Sequence, residues 1–320
     1  MSAAPLVSVV IPVLNGAATI GDTLTGLLHQ RPLGFEREIL VVDNGSTDAT
    51  RRVVGQFPVT LLSEPRPGPS AARNCGLHAA RGAIVAHLDA DTLPTRGWLA
   101  AIAAAFADPA VVQVAGRLLA DRPSTPAARY FARCFLDRDE ANARATPFPF
   151  ASSGNMAVRR EALLAVGGWD EQFRVSQDVD LSCRLADRFA QPIRYQAAAL
   201  AFVRICRTPA ELRAQAFKYG QGRAQLWMHY RDRAPSSARQ ATRIAGGLAW
   251  SAAWPAVIAA ARRLGRASAE DVALAVCHRT WNWFLWRGFA SMVRHREWRQ
   301  LPVRRRAPAG AVAAPAAPEL

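Results

Sequence analysis

The sequence predicts an α/β protein, with a doubly wound, mostly parallel sheet over residues 1–223, a helical Trp/Arg-rich segment over 224–301 and a disordered tail over 302–320. Three observations lead there. Short, nearly continuous β-branched runs alternate with helix-length segments through the first half. The loops that leave those runs are rich in Asp and Asn. Residues 224–320 hold 15 basic against 5 acidic groups and seven of the nine tryptophans, whereas residues 1–223 hold 25 against 20.

The elements follow in order. Val7–Ile11, Glu38–Val42, Val59–Leu62 and Ala83–Leu88 read as strands buried on both faces. Between them lie helices over about 17–29, 47–56 with Ser46 as N-cap, and 69–80 opened at Pro69-Ser70. Next come a helix over about 95–107, a strand over 110–118, an aromatic helix over 124–140 and a Pro/Phe loop at 146–150. A strand at Asn155–Val158, helices over 160–166 and 177–190, and a strand over 192–204 complete the sheet.

Composition narrows the function classes. Half of the 320 residues are apolar, which supports a sizeable core and excludes whole-chain disorder. The net charge of +15 rests on 39 arginines and the single Lys218, a bias that reflects codon usage as much as chemistry. Five scattered cysteines form no CxxC pair and fit reduced thiols. Residues 1–14 lack a basic n-region and read as a first strand rather than a signal peptide, so a cytoplasmic protein is expected.

Open α/β sheets bind ligands beyond the carboxyl ends of their strands, so the residues just past each strand matter most. These are Pro12, Val13 and Asn15; Asp43, Asn44 and Ser46; and Asp89-Ala90-Asp91. Alternate residues of an extended segment share a side, so Asp89 and Asp91 suit a hard divalent cation, Mg²⁺ or Mn²⁺, beside an anionic ligand.

Seven ordered motifs over about two-thirds of the chain give a closer resemblance. They are Val7–Pro12 with Asn15, Ile39–Thr50, Gly68–Leu77, Asp89–Asp91, Ser153–Ala157, Gly167–Asp170 and Gln177–Leu181. Together they resemble family 2 glycosyltransferases of the GT-A fold. The resemblance implies an inverting transfer from a UDP-, GDP- or dTDP-sugar to an acceptor hydroxyl. It implies that Asp43 meets the base, with Pro12 and Val13 flanking it, and that Arg73 lies near the nucleotide. Asp91 becomes the principal metal ligand, with Asp89 on the ribose or the metal. Gly154, Asn155, Trp169 and Gln177 fall on the acceptor or sugar side. The family's acidic pair reads Gln177-Asp178 here; Asp178 is the implied base and Asp180 the second choice, although Asp180 also suits pairing with Arg184 at i+4. With one like charge gone, Asp178 ionises more easily than in an acidic pair.

Two rivals stay open: a nucleotidyltransferase, for which Pro12–Gly16 supplies no Gly-rich loop, and a non-catalytic nucleotide-sugar-binding module, which Gln177 keeps in view. In the C-terminal segment, Ile244–Ala261 is an uncharged 18-residue run and Val272–Val293 a second apolar run. The expectation is helices lying in the inner face of the cell membrane through residues 244–306. Trp250, Trp254, Trp281, Trp283, Trp286 and Trp298 would sit at headgroup depth, and Arg294, Arg296, Arg299 and Arg304 to Arg306 would face anionic lipid. A lipid-linked or envelope-glycan acceptor follows. Packing on the catalytic domain and a transmembrane pair are the alternatives. Nucleic acid is disfavoured, because the tryptophans lie within apolar runs rather than among arginines.

Overall fold

The computed structural model describes residues 6–31, 34–233 and 237–294. β1 (Val7–Val13), α1 (Ile20–Leu28), β2 (Arg37–Asp43), α2 (Thr50–Val54), β3 (Thr60–Ser63), α3 (Pro69–Ala79) and β4 (Ile84–Leu88) form the first half. β5 (Thr92–Pro94), α4 (Trp98–Ala105), β6 (Gln113–Ala120), α5 (Pro126–Phe135), α6 (Asp139–Ala143), β7 (Asn155–Arg159), α7 (Arg160–Ala165), α8 (Gln177–Phe189) and β8 (Arg194–Val203) follow. Three long helices complete the described residues: α9 (Pro209–His229), α10 (Ser237–Arg263) and α11 (Ala269–Val293).

The strands make one sheet in the order β3-β2-β1-β4-β7-β6-β8-β5. The four strands expected at the N-terminus pair in parallel, and β6 with β8 is parallel too. β7 runs antiparallel to both β4 and β6, and β5 antiparallel to β8. Strand alternation divides the core between the two faces. Val9, Ile11 and Val41 face Leu24 of α1 and Trp98 and Ile102 of α4, whereas Val10, Leu40 and Val42 face Leu77 of α3 and Leu181 of α8. Each such fully buried aliphatic side chain contributes about 1.5–3 kcal/mol, so the sheet needs no metal or disulfide to hold it.

Several expectations are corrected. β5 follows the Asp89–Asp91 loop as an edge strand, where Pro94 needs no ladder donor. Ser46 is not an N-cap: α2 begins at Thr50, and Asp48 accepts the Thr50 N–H at 2.9 Å. The helix expected over 124–140 is two, because Leu136 is extended and Asp137 turns at φ +54°, letting the Asp139 carboxylate take the Leu118 N–H at 2.8 Å.

Arg223, where the sequence places the end of the catalytic domain, lies inside α9. That helix starts at a Thr208/Glu211 capping box and runs unbroken to His229. It crosses α11 at very short range: a Cβ on Gly220 would lie 1.9 Å from the Leu285 carbonyl oxygen, and one on Gly288 would lie 2.0 Å from that of Phe217. Trp281 fills the space beside this crossing. It is buried against Phe135, with ring centroids 4.2 Å apart, and against Phe131 and Tyr219. Of the tryptophans expected at a lipid surface, Trp281 is therefore core, whereas Trp250 and Trp283 are 59% and 49% exposed. Trp298, Arg296, Arg299, Arg304 to Arg306 and the 302–320 tail lie outside the described residues. Among the described residues no helix is long and apolar enough to cross a membrane.

Candidate active site

The first two strand-end loops are stitched together. Asn15, at φ +52°, donates its N–H to Ser46 Oγ at 2.9 Å and accepts the Thr47 N–H on Oδ1 at 2.9 Å. The Val13 carbonyl takes the Asn44 N–H, and the Asn44 amide bridges to the Glu64 and Arg66 carbonyls and to the Gly68 N–H. Asn44 and Val13 thus hold the floor of the site, and their polar groups are spent on protein. Asp43 is 1% exposed; Ser46 N–H and Arg51 Nη1 donate to its two oxygens at 3.2 and 3.1 Å. A carboxylate offers about four acceptor positions, so it keeps capacity for a base edge. Pro12 is half-buried beside it.

The third loop supplies the acidic centre. Asp89 is 40% exposed and is held by Arg73, whose Nη2 donates to Asp89 Oδ1 at 2.9 Å and to Ser153 Oγ at 3.0 Å. Arg73 sits on the second turn of α3, 4% exposed, with its guanidinium 4.8 Å from the centroid of the Trp169 ring. Trp169 is 1% exposed and meets His87 edge-on at 5.0 Å. It is the platform beneath Arg73 and has no face open to a sugar, which corrects the acceptor-side expectation. His87 is held neutral, its pKa driven to about 3 by burial and then by Arg73. Burial and the Asp89 charge push the Asp91 carboxyl up to about 6. The Ala90 carbonyl is pinned by Thr23 Oγ1 at 3.1 Å, which fixes the loop between the two carboxylates.

Two adjacent carboxylates at a strand end suit a hard cation whose remaining positions are filled by phosphate oxygens and water. Among the described residues no cluster of three or more His, Cys, Asp or Glu is placed to hold a metal ion by itself.

Across the crevice, Asp178 stands in the first turn of α8. Its Oδ2 accepts the Ser153 N–H at 3.3 Å, and burial raises its pKa above the usual carboxylate value. Ser153 therefore links the base candidate to Arg73 and through it to Asp89. A Cβ on Gly154 would lie 3.0 Å from Asp89 Oδ2, so Gly154 borders the same space. Gln177 is 7% exposed and donates Nε2 to the Arg174 carbonyl at 2.8 Å; its amide fixes the turn before α8.

Two expected residues lie elsewhere. Asn155 is fully buried; its Oδ1 accepts Trp98 Nε1–H at 2.7 Å and its Nδ2 donates to the Arg117 and Ala199 carbonyls. It locks β7 to β6 and β8 and touches no open space. Asp180 is also fully buried and is taken by Arg184 at 2.8 Å and by the Tyr230 hydroxyl at 2.7 Å, so it points into the core.

Sequence reasoning missed α9. Tyr219 is half-buried with its ring on Trp281, and burial pushes its hydroxyl up to about 12. Arg223, one turn on, is exposed. The legible signal was the i, i+4, i+8 series Gln215, Tyr219, Arg223.

Sheet order, the carboxylate pair at a strand end and the carboxylate at the opposing helix N-terminus define a GT-A-type protein. The profile of the family described as Glycosyl transferase family 2 matches residues 8–167, half of the chain, and the chain belongs to that family. It is 30% identical to glycosyltransferase AglE of Haloferax volcanii over 240 residues, 71% of this chain and 76% of that protein. It is 36% identical to the pre-mycofactocin glycosyltransferase of Mycobacterium tuberculosis over 203 residues, 61% of this chain but only 42% of that relative's length. Among solved structures, mannosyltransferase PcManGT from Pyrobaculum calidifontis, in complex with GDP-Man and Mn²⁺, aligns with a TM-score of 0.57 at 23% identity, over 92% of this chain and 75% of that one. Glucosyl-3-phosphoglycerate synthase from Mycobacterium tuberculosis, with Mn²⁺, UDP and glucosyl-3-phosphoglycerate, aligns with a TM-score of 0.53 at 21% identity, over 70% of this chain and 79% of that one. At these identities the structural likeness is one of fold.

Proposed function

We propose that the chain is an inverting, divalent-cation-dependent glycosyltransferase that moves a sugar from a nucleoside diphosphate sugar to an acceptor hydroxyl. The observation that carries this is the bonded path Asp178–Ser153–Arg73–Asp89, which fixes a raised-pKa carboxylate opposite the acidic strand end. Asp43 and the Pro12 backbone receive the base. Asp89 and Asp91 would hold Mg²⁺ or Mn²⁺, which would supply positive charge against the departing diphosphate. The two solved relatives complexed with Mn²⁺ support that assignment. Asp178 removes the acceptor proton as the hydroxyl attacks the anomeric carbon from the face opposite the leaving group, and one displacement inverts the centre. A raised pKa makes Asp178 a stronger base than an ordinary aspartate.

The acceptor we favour is a lipid-linked or envelope glycan, met at the cytoplasmic face of the membrane. Trp250 stacks near Trp254 and Trp283 near Trp286, with centroids 5.0 and 5.6 Å apart, and the exposed Arg287 and Arg294 continue the second helix. The decisive experiment supplies purified protein and Mn²⁺ with UDP-, GDP- and dTDP-sugars and follows nucleoside diphosphate release. One donor should turn over slowly without acceptor, and Asp91→Ala should abolish it. Turnover unchanged by Asp91→Ala sinks the metal assignment, and no binding of any donor sinks the enzymatic reading.

A further inference from the structure

A buried cluster next to the Arg73–Asp89 pair joins three elements. Arg73 belongs to α3, His87 to β4, whose end leads to Asp89, and Trp169 to the loop between α7 and α8. The Trp169 backbone is gripped from α3: Asn74 Nδ2 donates to the Trp169 carbonyl, and the Trp169 N–H donates to Asn74 Oδ1, both at 2.8 Å. Gly167 and Gly168, at φ +77° and +69°, turn the chain into that grip, and a Cβ on Gly168 would lie 2.6 Å from Asn74 Oδ1. Arg73, the neighbour of Asn74 on the same helix, lies over the indole, and the His87 ring meets that indole at an interplanar angle of 87°. Trp169 therefore touches both the helix that carries Arg73 and the strand that leads to Asp89.

Hydrogen bonding does not account for the rings. Trp169 Nε1 and both His87 nitrogens are buried with no hydrogen-bond partner among the described residues. An aliphatic side chain would fill the same space without stranding polar atoms. The indole face has a use that an aliphatic side chain lacks. It lies against a cation that is only 4% exposed and whose Nε has no hydrogen-bond partner there either. Arg73 Nη2 carries two directed bonds, to Asp89 and to Ser153, and the ring face sets the plane of the guanidinium behind them.

Resting on the glycosyl-transfer reading, we infer that Trp169 is a positioning residue for the donor site and acts through Arg73. Its face sets the plane and reach of the guanidinium, the guanidinium fixes Asp89 and Ser153, and Ser153 in turn meets Asp178. Asn74 and His87 hold the ring in place from α3 and β4. An Asp89 carboxylate that is already oriented loses less freedom when a cation and a diphosphate arrive, which favours their binding. Trp169, 1% exposed, thus contributes to donor affinity without touching the donor.

The test is a double-mutant cycle on the full chain. Calorimetry in excess Mn²⁺ measures the dissociation constant of whichever of UDP, GDP or dTDP binds wild type. Trp169→Leu should weaken binding by roughly fivefold or more, and Trp169→Phe, which keeps an aromatic face, should stay within about twofold of wild type. On an Arg73→Gln background, Trp169→Leu should change the constant by less than about twofold, because no guanidinium is left to orient. Melting curves check that each variant is folded at the assay temperature. If Trp169→Leu is not, Asn74→Ala, which frees the Trp169 backbone and keeps the ring, takes its place in the cycle with the same expectations. A loss that persists undiminished on the Arg73→Gln background marks a role in the fold alone and overturns the inference while the donor reading stands. Wild-type binding by Trp169→Leu, or binding by Trp169→Phe as weak as that of Trp169→Leu, overturns it too. If no nucleoside diphosphate binds wild type, the donor reading fails and this inference falls with it.

Discussion

Asp178 and Asp180 are two residues apart, carry the same functional group and have opposite fates. Asp178 faces the crevice through Ser153, and Asp180 points into the core to meet Arg184 and Tyr230. Asp178→Asn should therefore cut turnover by about 10²–10⁴ with little change in melting temperature. Asp180→Asn should instead cost about 3–5 kcal/mol of stability by stranding part of a buried ion pair, read by chemical denaturation. Because burial raises the Asp178 pKa and a general base acts only when deprotonated, the role proposed for Asp178 predicts activity that falls as pH falls, and at a higher pH than an unperturbed aspartate would give. The pH profile of kcat/KM checks the sign. These pairs also show what the chain discloses by itself. The motif order pointed to Asp178, Arg73, Asp89 and Asp91, and the chain of bonds Asp178–Ser153–Arg73–Asp89 joins three of them. It could not separate site amides from structural ones: Asn155 sits in a motif beside Gly154, yet its amide is consumed by Trp98, Arg117 and Ala199. Burial direction at a strand's first residue depends on which neighbours the sheet supplies, and β6 and β8 are distant in sequence.

At the scale of elements, the parallel strands were readable because their apolar runs are continuous, whereas β5 was hidden by its length of three residues and by Pro94. The α9–α11 crossing was not readable at all, since Gly220 and Gly288 are meaningful only when the helices meet. Gly220→Ala should destabilise the fold by about 1–3 kcal/mol, because the new methyl group meets the Leu285 carbonyl rather than a flexible side chain. α6 offers a second test. Burial pushes Asp139 up to about 6, so the folded protein holds a proton that the unfolded chain releases near pH 4, and stability is lost as pH rises from about 4 to 6. Asp139→Asn keeps an acceptor for the Leu118 N–H. It should raise the melting temperature at pH 8 and leave it nearly unchanged at pH 4.

Across the whole molecule, the +15 net charge resolves into a nearly balanced sheet domain and a basic helical end. If that end meets anionic lipid, wild type should co-sediment with phosphatidylglycerol vesicles more than with phosphatidylcholine ones, and less at 0.5 M salt. Trp250→Ala with Trp254→Ala should weaken that binding, and equal retention of the double variant would sink the interfacial reading. Removing α10 and α11 is the poorer test, because Trp281 and Gly288 belong to the core around α9. That shared core has a further consequence. Asp89 and Asp91 follow the end of β4 and Asp178 opens α8, while the depth of α9 is fixed by how closely it sinks onto α11. Substitutions where α11 meets α9 would shift the helix that rests on Ser176 without touching Asp89 or Asp91. The turn that opens α8 thus answers to contacts well beyond the residues that the family profile matches.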